Sequence, residues 1–268
     1  MSEKILFEAV CDNIYRLKVP FENIYTAVFL IRDDSGWMLC DCAMTESDVS
    51  DIILPAIREM GTELSDITHI LITHPHADHA GGLRYLLPHM PGAYVCAGSN
   101  YIKERLSPEK YILTADGMKL SENICACALP GHCSDMYGYY DARSGTLISG
   151  DALQICGVGR YGCGLGNFSE YMRTLEKVTE KISPARLVAS HDYYPLGFCA
   201  EGGSEIFEYI RESREYAEYI MRVCDGYVAD GIRDERIITD AIKAKNLAKD
   251  PDIPPLQYST VKNYIKTK

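Results

Sequence analysis

The chain contains 268 residues, of which 47% are hydrophobic and 24% are charged. These proportions are ordinary for a globular protein with one large domain, or with a domain and an appendage. The formal net charge of -11 argues against a nucleic-acid partner, because a broad nucleic-acid-binding surface needs a positively charged footprint.

The sequence also makes predictions about compartment and cysteine chemistry. No uncharged stretch approaches the roughly 18 residues that a membrane-spanning helix needs, so we expect no membrane partner. Residues 1–17 lack the order of a signal peptide, basic first and then apolar, so we predict a cytoplasmic protein. Eleven cysteines are an odd number and are expected to be reduced. Two C-x-C pairs, Cys40/Cys42 and Cys125/Cys127, could bind a metal, but a role as small buried apolar residues is favoured.

In the first half of the chain, short alternating or apolar runs predict strands, and three helical patterns lie between them or after them. In chain order, the expected strands are residues 5–10, 13–19, 24–31 and 37–43, then a helix over 49–61, a strand over 67–73, a helix over 81–90, a strand over 93–98 and a short helix over 101–106.

A second strand-rich set begins after about residue 115. In chain order, strands are expected over 122–132, 136–142 and 146–151, followed by an amphipathic helix over 168–182 and a strand over 185–191. From about Ser204 onward, apolar and aromatic residues recur at helical spacing. We therefore predict a mixed α/β core over residues 1–203 and a helical appendage over residues 204–268.

The stretch THPHADHAGG places His74, His76, Asp78 and His79 within six consecutive positions, although the whole chain has seven histidines. His74 and His76 are two positions apart, so on an extended chain they project to the same side and can share one ion. Asp78 and His79 follow after a bend. Imidazole and carboxylate are the ligands that borderline divalent metals prefer, so the cluster predicts a metal centre.

Three further candidate ligands lie at the ends of predicted strands. His132 follows a Pro-Gly turn, Asp151 ends the strand over 146–151, and His191 ends the strand over 185–191. Loops at strand ends are where α/β folds usually assemble binding groups. The two remaining histidines, His69 and His89, are expected to be structural.

This order of residues resembles the metallo-β-lactamase superfamily, whose mark is H-x-H-x-D-H followed at a distance by His, Asp and His. The resemblance covers roughly residues 5–200. It implies an α/β fold in which two sheets face each other with helices outside, an αββα four-layer sandwich, here with a C-terminal helical appendage. It also implies two divalent metal ions, most often zinc, with iron or manganese as other occupants. The ligand sets that it implies are His74, His76 and His132 for one ion, and Asp78, His79 and His191 for the other, with Asp151 as the bridge.

The resemblance further implies hydrolysis by a hydroxide that bridges the two metals. Two nearby cations lower the pKa of a shared water, and a single zinc already brings bound water to a pKa of roughly 7. Asp78 is the expected catalytic residue, which holds the second metal, orients the nucleophile and passes the proton toward the leaving group. Asp41 matches the aspartate that supports a ligand in this family, although a loop-capping role is also open.

The substrate is expected to be a small thioester, lactone or phosphoester. Lactonases of this family often have a tyrosine where this chain has Gln154, which weakens the lactone assignment. Glutathione-thioester hydrolases also carry a helical C-terminal appendage, but no basic glutathione-binding set can be aligned. Two other functions stay open: a mononuclear iron oxidoreductase of the persulfide-dioxygenase kind, and a non-catalytic scaffold.

Residues 152–167 are rich in glycine and are interpreted as a loop beside the metals rather than as a nucleotide site. Arg160 and Tyr161 in this loop could contact an anionic substrate. Tyr193 and Tyr194 could line the pocket or stabilise an oxyanion. The aromatic residues of the appendage are expected mainly to pack between helices, although part of the set could shape the mouth of the pocket or form a homodimer contact: Phe207, Tyr209, Tyr216 and Tyr219.

Overall fold

A computed structural model describes residues 5–268 and places twelve strands in two sheets. The first sheet contains seven strands, which lie side by side in chain order: β1 (Glu8–Cys11), β2 (Ile14–Phe21), β3 (Ile24–Asp33), β4 (Gly36–Cys40), β5 (Ile67–Leu71), β6 (Tyr94–Ala97) and β7 (Tyr111–Leu113). Strands β1 to β4 pair antiparallel, whereas β4 to β7 run parallel.

The second sheet contains five strands in the spatial order β12, β11, β10, β9, β8: β8 (Ile124–Ala128), β9 (Tyr137–Asp141), β10 (Thr146–Gly150), β11 (Arg186–Tyr193) and β12 (Gly197–Glu201). Only the β10–β11 pair is parallel among these neighbours. The prediction of two successive strand sets, separated near residue 115, is therefore confirmed.

Eight α-helices surround these sheets in the described residues: α1 (Leu54–Glu59), α2 (Ala77–Ala80), α3 (Leu83–Leu86), α4 (Asn100–Leu106), α5 (Phe168–Lys177), α6 (Gly202–Ala229), α7 (Glu235–Lys249) and α8 (Tyr258–Ile265). The ends of two of them are fixed by side-chain caps. The Asn167 side chain accepts a hydrogen bond from Glu170 N at the start of α5, and the Asp234 side chain accepts from Arg236 N at the start of α7.

Three apolar clusters fill the spaces between the layers. Side chains such as Phe29 and Met38 of the first sheet meet Tyr139 and Ile148 of the second, and all four are at most 1% exposed. A second cluster joins the outer face of the first sheet to α1 and α3, and a third joins the outer face of the second sheet to α5 and the C-terminal helices. Each fully buried side chain of this size contributes roughly 1.5–3 kcal/mol. The predicted αββα four-layer fold with a helical C-terminal region is confirmed.

Several elements differ in detail from the sequence prediction. The helix expected over 81–90 is short, because α3 ends at Leu86 and a 3₁₀ turn containing Pro88 follows it. Residues 48–53 form a wide π-helical turn before α1. His191 was expected to end its strand, but β11 continues to Tyr193, so this side chain projects from within a strand. Strands β7 and β12 were not predicted.

The C-terminal helices pack against the second sheet and α5. The division of the chain into domains at residue 203 stays a prediction, although α6 begins at Gly202. Among residues 5–268, no helix has the length and apolar character needed to cross a bilayer.

Candidate metal centre

One edge of the molecule collects the carboxyl ends of several strands. Asp41 directly follows β4, His74 lies three residues after β5, and Asp151 directly follows β10. Parallel neighbours end at the same edge of a sheet, so the paired strands β4 and β5 deliver Asp41 and His74 to the same place. The first and second sheets both contribute to this edge because they face each other across the central core.

Three histidines form the first group at this edge. His74 Nε2 lies 3.0 Å from His76 Nδ1, and His132 Nε2 lies 2.9 Å from the same His76 nitrogen. Nitrogens around a tetrahedral zinc at 2.0–2.1 Å are about 3.3 Å apart, so the three rings already have close to the spacing of a zinc site. If His76 Nδ1 carried a proton, it could donate to only one of the two neighbouring nitrogens, whereas a shared metal ion would contact all three.

The second group contains Asp78, His79 and His191, whose ligand atoms also lie within 4.8 Å of one another. Asp78 Oδ2 is 3.3 Å from His79 Nε2 and 3.5 Å from His191 Nε2. Asp78 and His79 belong to the short helix α2 rather than to an irregular bend. The one-turn helix separates these two side chains from His74 and His76, which lie on the extended segment before it.

Asp151 lies between the two groups. Its Oδ2 is 3.9 Å from Nε2 of both His74 and His132. Its Oδ1 is 3.5 Å from His79 Nε2 and 3.4 Å from His191 Nε2. Each carboxylate oxygen therefore faces a different group, which is the geometry that a bridging carboxylate requires.

Hydrogen bonds on the far side of the rings fix which nitrogen of each histidine is free. In four of the five rings, Nδ1 has an acceptor: Thr73 Oγ1 for His74 at 3.0 Å, Asp41 Oδ2 for His79 at 2.8 Å, the Gly164 carbonyl for His132 at 2.7 Å and the Tyr25 carbonyl for His191 at 2.7 Å. Gln154 Nε2 also lies 2.7 Å from His132 Nδ1, but it has the Asp151 carbonyl as an acceptor at 3.3 Å, whereas the Gly164 carbonyl can only accept, so we assign the His132 Nδ1–H to Gly164. A neutral imidazole that donates through Nδ1 carries its lone pair on Nε2. All four Nε2 atoms face the cluster, so each is prepared to act as a ligand.

The charges in the cluster perturb the pKa values of its members. Burial lowers the pKa of His74 well below its ordinary value, and the neighbouring His79 adds to the effect. Burial also opposes a charge on His79, but Asp78, Asp151 and Asp41 outweigh it and raise the pKa of His79 well above the ordinary value. For the Asp151 carboxyl, burial is outweighed by His191 and His79, which hold its pKa well below its usual range.

The donor set fits divalent cations. His79 Nε2 and Asp151 Oδ1 are buried and have no hydrogen-bond partner among residues 5–268. Asp41, Asp78 and Asp151 lie within one small region, and in the described part of the chain their ion-pair partners are histidines only. Buried carboxylates without lysine or arginine need a compensating positive charge. Bound metal ions would supply that charge and occupy the two unpartnered atoms.

Asp41 holds two of the candidate metal-binding histidines in position by hydrogen bonds. It is fully buried, accepts hydrogen bonds from Thr73 N and Thr73 Oγ1 at 2.8 Å each, and faces His79 Nδ1 at 2.8 Å. Its backbone has φ = 62°, a left-handed conformation that aspartate and asparagine tolerate better than most residues. The same carboxylate therefore orients His79 directly and His74 through Thr73.

The four candidate substrate contacts have varied surroundings. Tyr193 is buried, and its ring lies 5.9 Å from the ring of His191. The Tyr194 hydroxyl donates a hydrogen bond to Asp250, in the segment after α7. Arg160 forms an ion pair with Glu22, and Tyr161 stacks on Phe21 with 5.1 Å between ring centroids. Their roles in substrate binding stay predictions.

Sequence reasoning missed several polar residues that hold the cluster. Thr26 Oγ1 donates to Asp78 Oδ2 at 3.1 Å, and the Tyr25 carbonyl accepts from His191. Gln154 Oε1 accepts from Gly164 N at 2.6 Å and so fixes the loop whose carbonyl orients His132. A backbone carbonyl is present in every residue, so the sequence does not reveal which carbonyls accept hydrogen bonds from the histidines. Of these residues, the sequence singles out only Gln154, by its position three residues after Asp151.

Comparison with known proteins agrees with this geometry. A model described as the metallo-beta-lactamase superfamily matches residues 23–99, which contain the His74–His79 cluster. The DIM-1 metallo-beta-lactamase structure superposes with a TM-score of 0.64 at 15% identity, covering 80% of this chain and 99% of that one. Residues 23–99 therefore match this superfamily in sequence, and the chain has the fold of its metallo-beta-lactamase neighbours. A second neighbour of the same fold is the metallo-beta-lactamase FIM-1 from Pseudomonas aeruginosa in its mono-zinc form, with a TM-score of 0.62 at 16% identity, covering 80% of this chain and 97% of that one.

Several similar sequences are named hydroxyacylglutathione hydrolase. The protein of that name from Prochlorococcus marinus (strain MIT 9312) is 29% identical over 186 residues, which cover 68% of this chain and 70% of that protein. The one from Pseudomonas entomophila (strain L48) is 31% identical over 169 residues, covering 60% of this chain and 62% of that protein. An uncharacterized protein, YobT of Bacillus subtilis (strain 168), is 29% identical over 150 residues, covering 48% and 62%. These alignments span about two thirds of the relatives' lengths.

Proposed function

We propose that the cluster holds two divalent metal ions and hydrolyses a small thioester. The observation that carries the proposal is the convergence of seven side chains from both sheets into overlapping groups whose ligand atoms lie within 4.8 Å of one another. His74, His76 and His132 would bind one ion, and Asp78, His79 and His191 the other. Asp151 would bridge them, because its two oxygens face different groups.

The fold and the relatives indicate a metal-dependent hydrolase. Zinc is the proposed metal, because three imidazoles about 3 Å apart suit its tetrahedral preference. A thioester is favoured over a lactone or phosphoester because the similar proteins are named hydroxyacylglutathione hydrolase. The second group of ligands favours a dinuclear centre over a mononuclear iron oxidoreductase, which would need only part of the set.

When bound, two divalent cations would lower the pKa of a water molecule and polarise the carbonyl of the substrate. Asp78 is the proposed catalytic residue: Thr26 Oγ1 fixes its Oδ2 at 3.1 Å, and its side chain is 19% exposed, so it can reach both the centre and solvent. From that position it can hold a proton and pass it to the leaving thiolate. The fixed Nδ1–H bonds of the histidines prevent ring rotation during this exchange.

Metal content and activity after metal repletion test the proposal together. We expect two equivalents of zinc per chain and hydrolysis of a hydroxyacyl thioester of glutathione, with weaker or no activity on a lactone and on a nitrophenyl phosphodiester. His76→Ala is expected to lose one equivalent and more than about a hundredfold in kcat/KM. His89→Ala is the matched control, because His89 is exposed and lies in the turn after α3.

Two other outcomes of the same experiments would contradict the proposed function. A repleted protein that binds less than one equivalent and hydrolyses none of these compounds would refute the proposal. Iron at one equivalent per chain, with oxygen uptake on a persulfide, would identify the oxidoreductase instead. A homodimer and a cytoplasmic location stay predictions, to be checked by light scattering and by fractionation of the native host.

A further inference from the structure

A cavity of about 500 Å³ lies beside the proposed metal centre, on the flank formed by α2, α3 and α4. His76, an exposed member of the first ligand group, forms part of its wall. Arg84 and Tyr85 of α3 line it on one side, and Tyr101 and Arg105 of α4 line it on the other. The cavity therefore adjoins the proposed metals at one end and two helices at the other.

The charged groups of this cavity have one sign. Arg84 and Arg105 line it, and no aspartate or glutamate does. Within residues 5–268, neither guanidinium forms an ion pair with a carboxylate. Arg105 Nη1 donates to the Tyr101 hydroxyl at 2.8 Å, and the Arg84 guanidinium carbon lies 5.7 Å from the centre of the Tyr85 ring. These contacts orient the two cations and leave most of their N–H donors available.

Four other cavities in residues 5–268 all carry acidic side chains, either alone or together with basic ones. The cavity between α6 and α7, for example, is lined by side chains of both signs: Arg222, Lys245 and Lys249 lie with Glu212, Glu215 and Glu218. Arg160, which the sequence suggested as an anion contact, is already paired with Glu22. In a chain with a net charge of -11, two unpaired arginines in one cavity are therefore a local exception.

We propose that Arg84 and Arg105 bind an anionic group of the substrate, a carboxylate or a phosphate, while its scissile bond lies at the centre next to His76. Guanidinium groups recognise both anions with paired N–H donors, and a cavity lined by one sign of charge concentrates the oppositely charged ligand. This inference rests on the proposed function. Beyond the proposed function, the inference states that the substrate is an anion and that Arg84 and Arg105 select this substrate.

Kinetics on two thioesters with the same acyl group test the inference. One is the glutathione thioester, which carries carboxylates, and the other is the neutral thioester of N-acetylcysteamine. For Arg84→Gln combined with Arg105→Gln, we expect KM for the anionic thioester to rise about tenfold or more with little change in kcat. Both constants for the neutral thioester should stay the same. Arg236→Gln, which removes the same charge from an exposed position of α7, is the matched control and should change neither.

A binding experiment separates this inference from the proposed hydrolysis. The zinc-loaded protein and its double arginine variant are titrated calorimetrically with inorganic phosphate and with succinate, which also tells a phosphate preference from a carboxylate preference. At least one anion should bind about tenfold more weakly to the variant than to the wild type. Any contact between the anion and the metals is the same in both proteins, so the difference in affinity reports the arginines alone. Equal affinities for both anions would overturn the inference even if thioesters are hydrolysed. A wild-type protein that hydrolyses neither thioester but shows the arginine-dependent binding would overturn the proposed function alone.

Discussion

Replacing Asp41 by asparagine should change the tautomer of His79 rather than the shape of the site. Thr73 N donates to Asp41 Oδ1, so the amide oxygen of the asparagine must take that position. Its NH₂ group then takes the place of Oδ2, where it faces His79 Nδ1. Nδ1 must become the acceptor, and the ring proton moves to Nε2, the atom that the second metal needs. Asparagine also tolerates the left-handed backbone at this position, where φ is 62°.

The expected loss follows from these contacts. Changing the partner that orients a metal-binding histidine lowers metal affinity by about 10- to 100-fold, which corresponds to about 1.4–2.8 kcal/mol. Asp41 is fully buried and also faces Thr73 Oγ1, so its replacement lies at the upper end of that range. The first metal should be affected less, because Asp41 reaches His74 only through Thr73.

Chelator competition during zinc titration measures both affinities. We expect one site of Asp41→Asn to weaken strongly and the other to stay within a few fold of the wild type, with activity falling in parallel. Asp141→Asn is the control: Asp141 is 2% exposed, accepts from Asn13 Nδ2 at 2.8 Å and ends β9 far from the centre. It should reduce stability and leave zinc affinity unchanged. Two unweakened zinc sites in Asp41→Asn would refute the tautomer argument.

Three further predictions concern stability. Gly162→Ala should destabilise the protein by about 3 kcal/mol or more in urea unfolding, because its φ is 71° and an added Cβ would lie 1.5 Å from the Pro255 carbonyl oxygen; Gly61→Ala, with the same φ and open space, should lose only about 1–2 kcal/mol. Metal saturation at about 100 times the dissociation constant should add about 2.7 kcal/mol and raise Tm measured by calorimetry, and a chelator should reverse it. Burial opposes a charge on His191, but Asp151 outweighs it and raises the pKa of His191 to about 9, so its stabilising contribution in the metal-free protein is complete below pH 6.5 and is lost as pH rises through 9. A metal-free Tm that does not fall between pH 6.5 and 9 would contradict this last point.

The sequence predicted the elements whose signal is local. Alternating apolar residues located most strands, and the helical spacing after Ser204 located the C-terminal helices. Short elements could not be predicted from the sequence. The strand Tyr111–Leu113, for example, has three residues, too few for a periodic pattern. The helix over 81–90 was predicted too long, because glycines and Pro88 interrupt a run whose apolar pattern continues. Pairing and layer order depend on contacts between distant strands, which the family resemblance supplied.

In the candidate site, too, some residues could be predicted from the sequence and others could not. Its seven proposed ligands are side chains of types that bind metals, at spacings that a sequence displays. The groups that orient them are a threonine hydroxyl and two backbone carbonyls, as well as Asp41. The carbonyls of Tyr25 and Gly164 could come from any residue type, so only coordinates could identify them. The cavity beside His76 was missed for a related reason, since Arg84 and Arg105 lie on different helices.

The C-terminal helices contribute to the centre through one loop. Gln257 Nε2 donates to the Tyr161 carbonyl at 3.0 Å, and Thr260 Oγ1 accepts from Leu165 N at 2.9 Å. Between these anchored residues lies Gly164, whose carbonyl accepts from His132 Nδ1. A loop that is held from both sides can fix a histidine more firmly than a free surface loop, because less conformational entropy is lost when the metal binds. Residues 204–268 therefore act on the proposed centre through its geometry, independently of any contact with substrate.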